Sequence, residues 1–156
     1  SQLLAPLGIN LPVEPWRGQL IIWHAPQTYF TRVINEGLRY FVPRQDGVIL
    51  VGATVEDVGF DETTTPEAIE DLRQYAKEIV PDLGSQEPKR TWAGLRPKTP
   101  DGLPFMDRVP GVDNLSVCAG HFRSGLHLSP ASAVFMSRLL LDDKPPLDPN
   151  PFKLQR

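Results

Sequence analysis

Residues 92–104, Trp-Ala-Gly-Leu-Arg-Pro-Lys-Thr-Pro-Asp-Gly-Leu-Pro, restrict this chain more than any other stretch. They hold one arginine, three prolines and two glycines. Pro97 pushes Arg96 towards an extended backbone. Pro100 presets φ, Asp101 can hydrogen-bond its own backbone, and Gly102 tolerates positive φ. A short strand therefore carries Arg96 to its end, and a stiff turn holds that end in place. A guanidinium so fixed suits a carboxylate or phosphate, because its fork of donors is directional. The competing reading is an arginine in an exposed ion pair.

The rest of the chain sets the frame. Its 156 residues suffice for one ordinary domain, or one and a half small ones, with a real core. With 40% hydrophobic and 22% charged residues the composition is that of a soluble globular protein. A net charge of −3 gives no basis for a nucleic-acid or anionic-membrane partner. The single cysteine, Cys118, excludes an intrachain disulfide and fits a reducing, cytoplasmic setting. Its apolar strand places it in the core. No apolar run approaches the ~18 residues of a membrane span, and no basic segment followed by an apolar one opens the chain as a signal peptide would.

Antiparallel strands dominate the first part. Residues 16–24 read as a strand, 28–34 as a second, 35–37 as a turn and 38–44 as a third strand. Gln45-Asp-Gly47 is a hairpin signal before the apolar returning strand 48–54. Residues 63–81 form the clearest helix, with Thr65 as N-cap, Pro66 at the first position and Ile69, Leu72, Ala76 and Ile79 on one face. Residues 87–96 then run extended into the opening motif. Further on, 114–119 form a short strand and 120–125 a glycine-bounded loop. Ser129 and Pro130 are expected to open a last helix, apolar nearly all round and so buried in a larger body. Residues 147–156 read as an extended tail. The apolar residues of 1–15 need either a partner surface or this domain's own core.

Chemical motifs are sparse. There is no glycine-rich phosphate loop, no Gly-x-Ser-x-Gly elbow and no metal-ligand cluster. His24, His121 and His127 are scattered and read as structural rather than as ligands. What remains is the strand, loop and helix from Leu115 onward. The helix start carries unpaired N–H groups and partial positive charge, which suits a negative ligand group; an ordinary strand-to-helix turn fits the same residues.

Six motifs occur in order: Val13-Glu-Pro-Trp-Arg-Gly-Gln19, Tyr40-Phe-Val-Pro-Arg44, Val51-Gly-Ala-Thr-Val-Glu56, Trp92-Ala-Gly-Leu-Arg-Pro97, Thr99-Pro-Asp-Gly-Leu-Pro104 and Gly120-His-Phe-Arg-Ser-Gly125. Together they resemble the second half of the FAD-dependent D-amino-acid oxidase family, most like its glycine oxidase branch, which serves thiamine biosynthesis. The resemblance implies an α+β fold: an antiparallel substrate-binding sheet covered by helices, plus a strand-loop-helix returning to an FAD domain. On that pattern residues 1–12 end an absent cofactor-domain half, 13–97 form the substrate-binding domain, 98–142 the cofactor-domain return and 143–156 an extended tail.

The same resemblance implies roles. Arg96 would bind the substrate carboxylate, Tyr40 would add a hydroxyl to it, and Arg123 would line the site. Gly120, His121, Phe122, Arg123, Gly125, Leu126, His127 and Leu128 would face the flavin of FAD. No side chain is assigned as catalytic, and no metal is implied. The implied reaction is oxidative deamination of glycine or a small amino acid or amine, by hydride transfer to FAD with oxygen as acceptor. Two other readings stand beside it: an FAD-dependent amino-acid dehydrogenase, and a non-catalytic domain that dimerises. The chain is expected to be a fragment, inactive alone, and a homo-oligomer or one that associates through an uncovered apolar face. His127 interrupts the aliphatic run usual before the last helix of the family, Lys98 replaces a small residue, and Arg39 adds a charge beside Tyr40.

Overall fold

The computed structural model describes residues 3–156, which divide into two compact units. Trp16–Leu95 make one, and the chain up to Pro15 with Arg96–Arg156 makes the other.

The first unit is built on a five-stranded sheet of β1 (Glu14–His24), β2 (Ile34–Glu36), β3 (Arg39–Pro43), β4 (Val48–Gly52) and β5 (Arg90–Lys98). The strand order is β2-β3-β4-β1-β5. The pairs β2/β3, β3/β4 and β1/β4 are antiparallel, with Phe41 opposite Val51 and Val51 opposite Ile21. Side chains alternate along a strand, so Ile21, Trp23, Phe41, Ile49 and Val51 share one face. That face is buried together with Leu72, Tyr75 and Ala76 of α1 (Pro66–Ile79).

Helix α1 begins as its sequence demands. The Thr65 side chain accepts a hydrogen bond from the Ala68 N–H at 3.4 Å, and Pro66 follows. Leu72 and Ala76 are buried as expected, joined by Tyr75, whereas Ile79 is 42% exposed in the last turn. Pro81 does not simply stop the helix; it opens a further single turn, α2 (Pro81–Gly84). Arg39 finds its place against α1, with both Asp71 oxygens within 2.9 Å and the Tyr75 ring 5.2 Å from its guanidinium.

Residues 28–33 do not form the expected strand. Tyr29 and Phe30 instead pack as single side chains against the core, with Phe30 edge-on to Phe41 at 5.7 Å. Asn35 and Glu36, expected in a turn, belong to β2, and the chain reverses at Gly37 with φ +59°.

A buried polar network secures the start of β1. Arg17 donates to Glu56 from Nε at 2.9 Å, to Asp61 at 2.6 Å and to the Thr63 carbonyl at 3.0 Å. Gln19 donates to Glu56 at 2.9 Å and accepts from the Thr65 N–H at 2.7 Å. Burial alone would raise the Glu56 pKa; hydrogen bonds from Thr54, Arg17 and Gln19 outweigh it and hold the carboxyl below its ordinary value.

The second unit pairs β6 (Phe105–Arg108) with β7 (Ser116–Ala119) and packs them with α3 (Gly125–Leu140). Strand β6 was not expected, because its four residues lie between two proline-containing turns. Its core holds Leu11, Phe105, Val109 and Val117, with Leu4 and Ile9 against them, so these three N-terminal residues meet a core here, whereas Leu3 and Leu7 stay exposed. Ser1 and Gln2 of that segment lie outside the described residues. Cys118, expected in the core, is exposed, because its neighbour Val117 takes the inward face of β7. Residues 147–156 are not simply extended. They include a 3₁₀ turn, Asn150–Phe152, and Phe152 packs edge-on against Phe135 of α3 at 5.3 Å.

Helix α3 starts four residues before the expected N-cap. The Leu128 N–H already donates to the Ser124 carbonyl at 2.9 Å. Pro130 lies inside the helix and cannot donate to the Leu126 carbonyl four residues back. The Ser129 hydroxyl donates to that carbonyl instead, at 2.8 Å. Ser129 thus repairs a proline site rather than capping a helix. Nor is α3 buried all round: Ser132 and Phe135 face the unit, while Leu126, Val134 and Leu140 are exposed.

Candidate functional site

Arg96 stands near the end of β5 and is half-buried. The turn after it is stiff for the expected reasons and for one more. Asp101 accepts from the Leu103 N–H at 3.0 Å, and Gly102 takes φ +77°. Arg156 then grips the turn. Its Nε and Nη2 meet the two Asp101 oxygens at 2.7 and 3.0 Å, Nη2 donates to the Leu103 carbonyl at 2.7 Å, and the guanidinium lies 3.8 Å over the Phe105 ring. The hydrogen bond from Arg156 holds the Asp101 carboxyl well below the usual carboxylate range.

Loop 120–125 is laid against that strand end. The Phe122 N–H donates to the Pro97 carbonyl at 2.9 Å, and His121 forms a β-bridge with Lys98. The two residues after Arg96 are therefore the ones that hold the loop carrying Arg123. Gly120 has φ +88°, and a Cβ there would stand 2.4 Å from the Thr99 methyl, so the position requires glycine. Phe122 is also left-handed, at φ +49°. The ring of His121 shares a hydrogen bond of 2.9 Å with the Ser132 hydroxyl of α3. Burial pulls the His121 pKa below its ordinary value, which favours a neutral ring.

Arg123 is exposed at the tip of the loop, and Leu126, His127 and Leu128 are exposed on the first turn of α3. The N–H groups of Gly125, Leu126 and His127 stand at a helix start, where no intrahelical acceptor exists and partial positive charge gathers. Residues 126–128 are expected before the helix; as its first turn they carry the same donors in a more fixed array.

Tyr40 belongs to the other unit. It lies on β3 opposite Gly52, and its ring crosses that glycine: a Cβ at Gly52 would come within 3.2 Å of the Tyr40 Cζ and hydroxyl oxygen and 3.1 Å of the Leu20 Cβ. Four positioning residues escaped the sequence reading: Gly52, Thr99, Ser132 and Arg156. A glycine inside an apolar strand signals close approach and could have exposed the first; the other three depend on contacts distant in sequence.

Among the described residues no cluster of three His, Cys, Asp or Glu side chains could hold a metal ion, and no helix is long and apolar enough to cross a membrane.

The sheet, the return strand and the arginine-bearing loop are those of a flavoenzyme: residues 1–139 match the family described as FAD dependent oxidoreductase, and the chain belongs to that family. Within it, the chain is 44% identical over 152 residues to glycine oxidase of Pseudomonas aeruginosa, covering 97% of this chain and 42% of that protein. It is 37% identical over 153 residues to hydrogen cyanide synthase subunit HcnC of Pseudomonas protegens, covering 98% of this chain and 37% of that protein. The crystal structure of glycine oxidase from Geobacillus kaustophilus superposes with a TM-score of 0.90 at 32% identity, covering 99% of this chain and 42% of that one. The chain thus spans less than half the length of these relatives. Its α+β fold with an antiparallel sheet is the one expected from the sequence.

The residues present fit one part of FAD. The α3 start and Arg123 form a donor set suited to the carbonyl and nitrogen acceptors of a flavin ring edge. A glycine-rich loop for the pyrophosphate is not among these residues.

Proposed function

We propose that this chain supplies the substrate-binding sheet and the flavin-edge loop of an FAD-dependent amino-acid oxidase acting on glycine or a small amino acid or amine. Residues 13–97 serve as the substrate-binding domain, 98–142 as the cofactor-domain return, and 1–12 as the end of its preceding half. The observation that carries the reading is the pair of backbone contacts joining residues 97 and 98 to 121 and 122. They tether the arginine before Pro97 to the loop bearing Arg123 and to the donor-rich helix start. Arg96 binds the substrate carboxylate, Tyr40 adds a hydroxyl held by its seat on Gly52, and Arg123 lines the same site. A bidentate arginine–carboxylate pair fixes orientation as well as supplying energy. Bound FAD supplies the two-electron acceptor, with oxygen as its oxidant. The protein's own part is to orient the α-carbon and to place helix-end positive charge at the flavin edge.

The exposed residues Leu126, Val134 and Leu140 of α3 belong, on this reading, to a face covered by the remainder of the protein or by a second copy. The lone thiol fits a cytoplasmic setting.

The test is made on the complete flavin-loaded protein. It should form hydrogen peroxide from glycine, and Arg96→Ala should weaken kcat/KM by about 2 kcal/mol, chiefly through KM, as loss of a charged hydrogen bond does. An unchanged KM removes Arg96 from this role. Absence of bound flavin removes the whole reading.

A further inference from the structure

We propose that His121 is a positioning residue whose ring, tied to Ser132 of α3, sets where Arg123 stands relative to the strand of Arg96. Its consequence for catalysis rests on the flavin reading above; its geometry does not.

Residue 121 is the node of the loop. Its backbone bridges Lys98, its carbonyl accepts the Ser124 N–H at 3.0 Å, and its ring meets the Ser132 hydroxyl at 2.9 Å. It also faces the helix start: a Cβ built on Gly125 would lie 3.5 Å from the His121 Cβ. Ser132 follows Gly125 by seven residues, two turns along the same face, and is buried. One residue therefore joins strand end, loop and helix, by its backbone on one side and its ring on the other.

The loop needs such a tie. Gly120 and Phe122, on either side of His121, are both left-handed, and Phe122 pays the steric cost of a side chain there. A conformation of this kind persists when surrounding contacts impose it. The His121–Ser132 bond imposes it from the helix side, the Pro97 carbonyl from the strand side. With its ring occupied by Ser132 and its charge suppressed by burial, His121 is removed from the competition for a carboxylate and leaves that task to the two arginines. A displacement of about 1 Å in a binding group can cost on the order of a hundredfold in rate, so a loose loop would show in substrate affinity while the fold survived.

The experiment uses the complete flavin-loaded protein and four variants: His121→Ala, Ser132→Ala, the double variant and His121→Gln, whose amide nitrogen can replace Nε2. Each alanine variant is expected to raise KM for glycine about tenfold, with a smaller fall in kcat. The double variant should be no worse than the worse single one. His121→Gln should restore most of the loss, and the flavin absorption maxima should shift together in the alanine variants and return in the glutamine one. Additive single effects, a glutamine variant as impaired as the alanine one, or a KM within about twofold of the parent would each overturn the proposal. Denaturant unfolding of the same proteins separates the two readings. A parent that binds no flavin ends the functional reading, whereas a His121–Ser132 coupling of zero in the unfolding cycle ends the positioning one.

Discussion

At the scale of single residues, two glycines carry the argument. Gly120→Ala places a Cβ 2.4 Å from the Thr99 methyl on a φ of +88°. The expected cost is about 2 kcal/mol or more, read by urea denaturation. Thr99→Ser in the same protein removes the methyl and should recover the clash but not the backbone strain. Gly52→Ala acts differently, because its neighbours at 3.1–3.2 Å include the movable Tyr40 ring. The ring should yield by a few tenths of an ångström. In the complete protein KM for the amino acid should then rise by up to about tenfold, and the melting temperature should fall as well, because the Leu20 Cβ at 3.1 Å is fixed to the paired strand. An unchanged KM would separate Tyr40 from the substrate. Asp101 supplies a pH prediction. Its folded pKa lies below the ordinary value, so its contribution to stability is fully present above roughly pH 4 and is lost as pH falls below that. Asp101→Asn should flatten that part of the stability profile, and Arg156→Ala should flatten it in part, since the Leu103 N–H still holds the carboxyl.

Among the elements, α1 and α3 show what a sequence reveals about a helix. Thr65 and Pro66 are local signals, and α1 starts where they place it; Thr65→Ala should cost about 1 kcal/mol in thermal unfolding. Ser129 and Pro130 are the same pair of residue types, yet α3 has already begun at Gly125. The difference lies in tertiary contacts. His121 and its bond to Ser132 seat the earlier turn, and the Ser129 hydroxyl takes over the carbonyl that Pro130 leaves unserved. Strand β1, the hairpin into β4 and the run into β5 were legible from β-favouring residues and an Asp-Gly turn. Residues 28–33 were not, because Tyr29 and Phe30 look like strand formers and are used as plugs for the core.

Across the molecule, Arg17 ties β1 to the loop 56–63 through Glu56, Asp61 and the Thr63 carbonyl, from a site where its side chain is 5% exposed. Arg17→Leu should therefore lower the melting temperature far more than Arg39→Leu, whose ion pair with Asp71 is largely exposed. Equal effects would show that the network is dispensable. The motifs from which the site is proposed, Tyr40 with its Val-Pro-Arg neighbours, Gly-Leu-Arg96-Pro and Gly-His-Phe-Arg123, stand out in the sequence because each is contiguous. Ser132 and Arg156 do not, since Ser132 meets His121 only through the turn into α3 and Arg156 reaches Asp101 across 55 residues. Cys118 has a practical bearing. It is the sole thiol of the chain, it is exposed on β7, and it lies two residues before Gly120. A maleimide fluorophore attached there becomes a single-site reporter. On this chain its emission can follow the neighbouring loop in real time during unfolding, with no engineered cysteine needed.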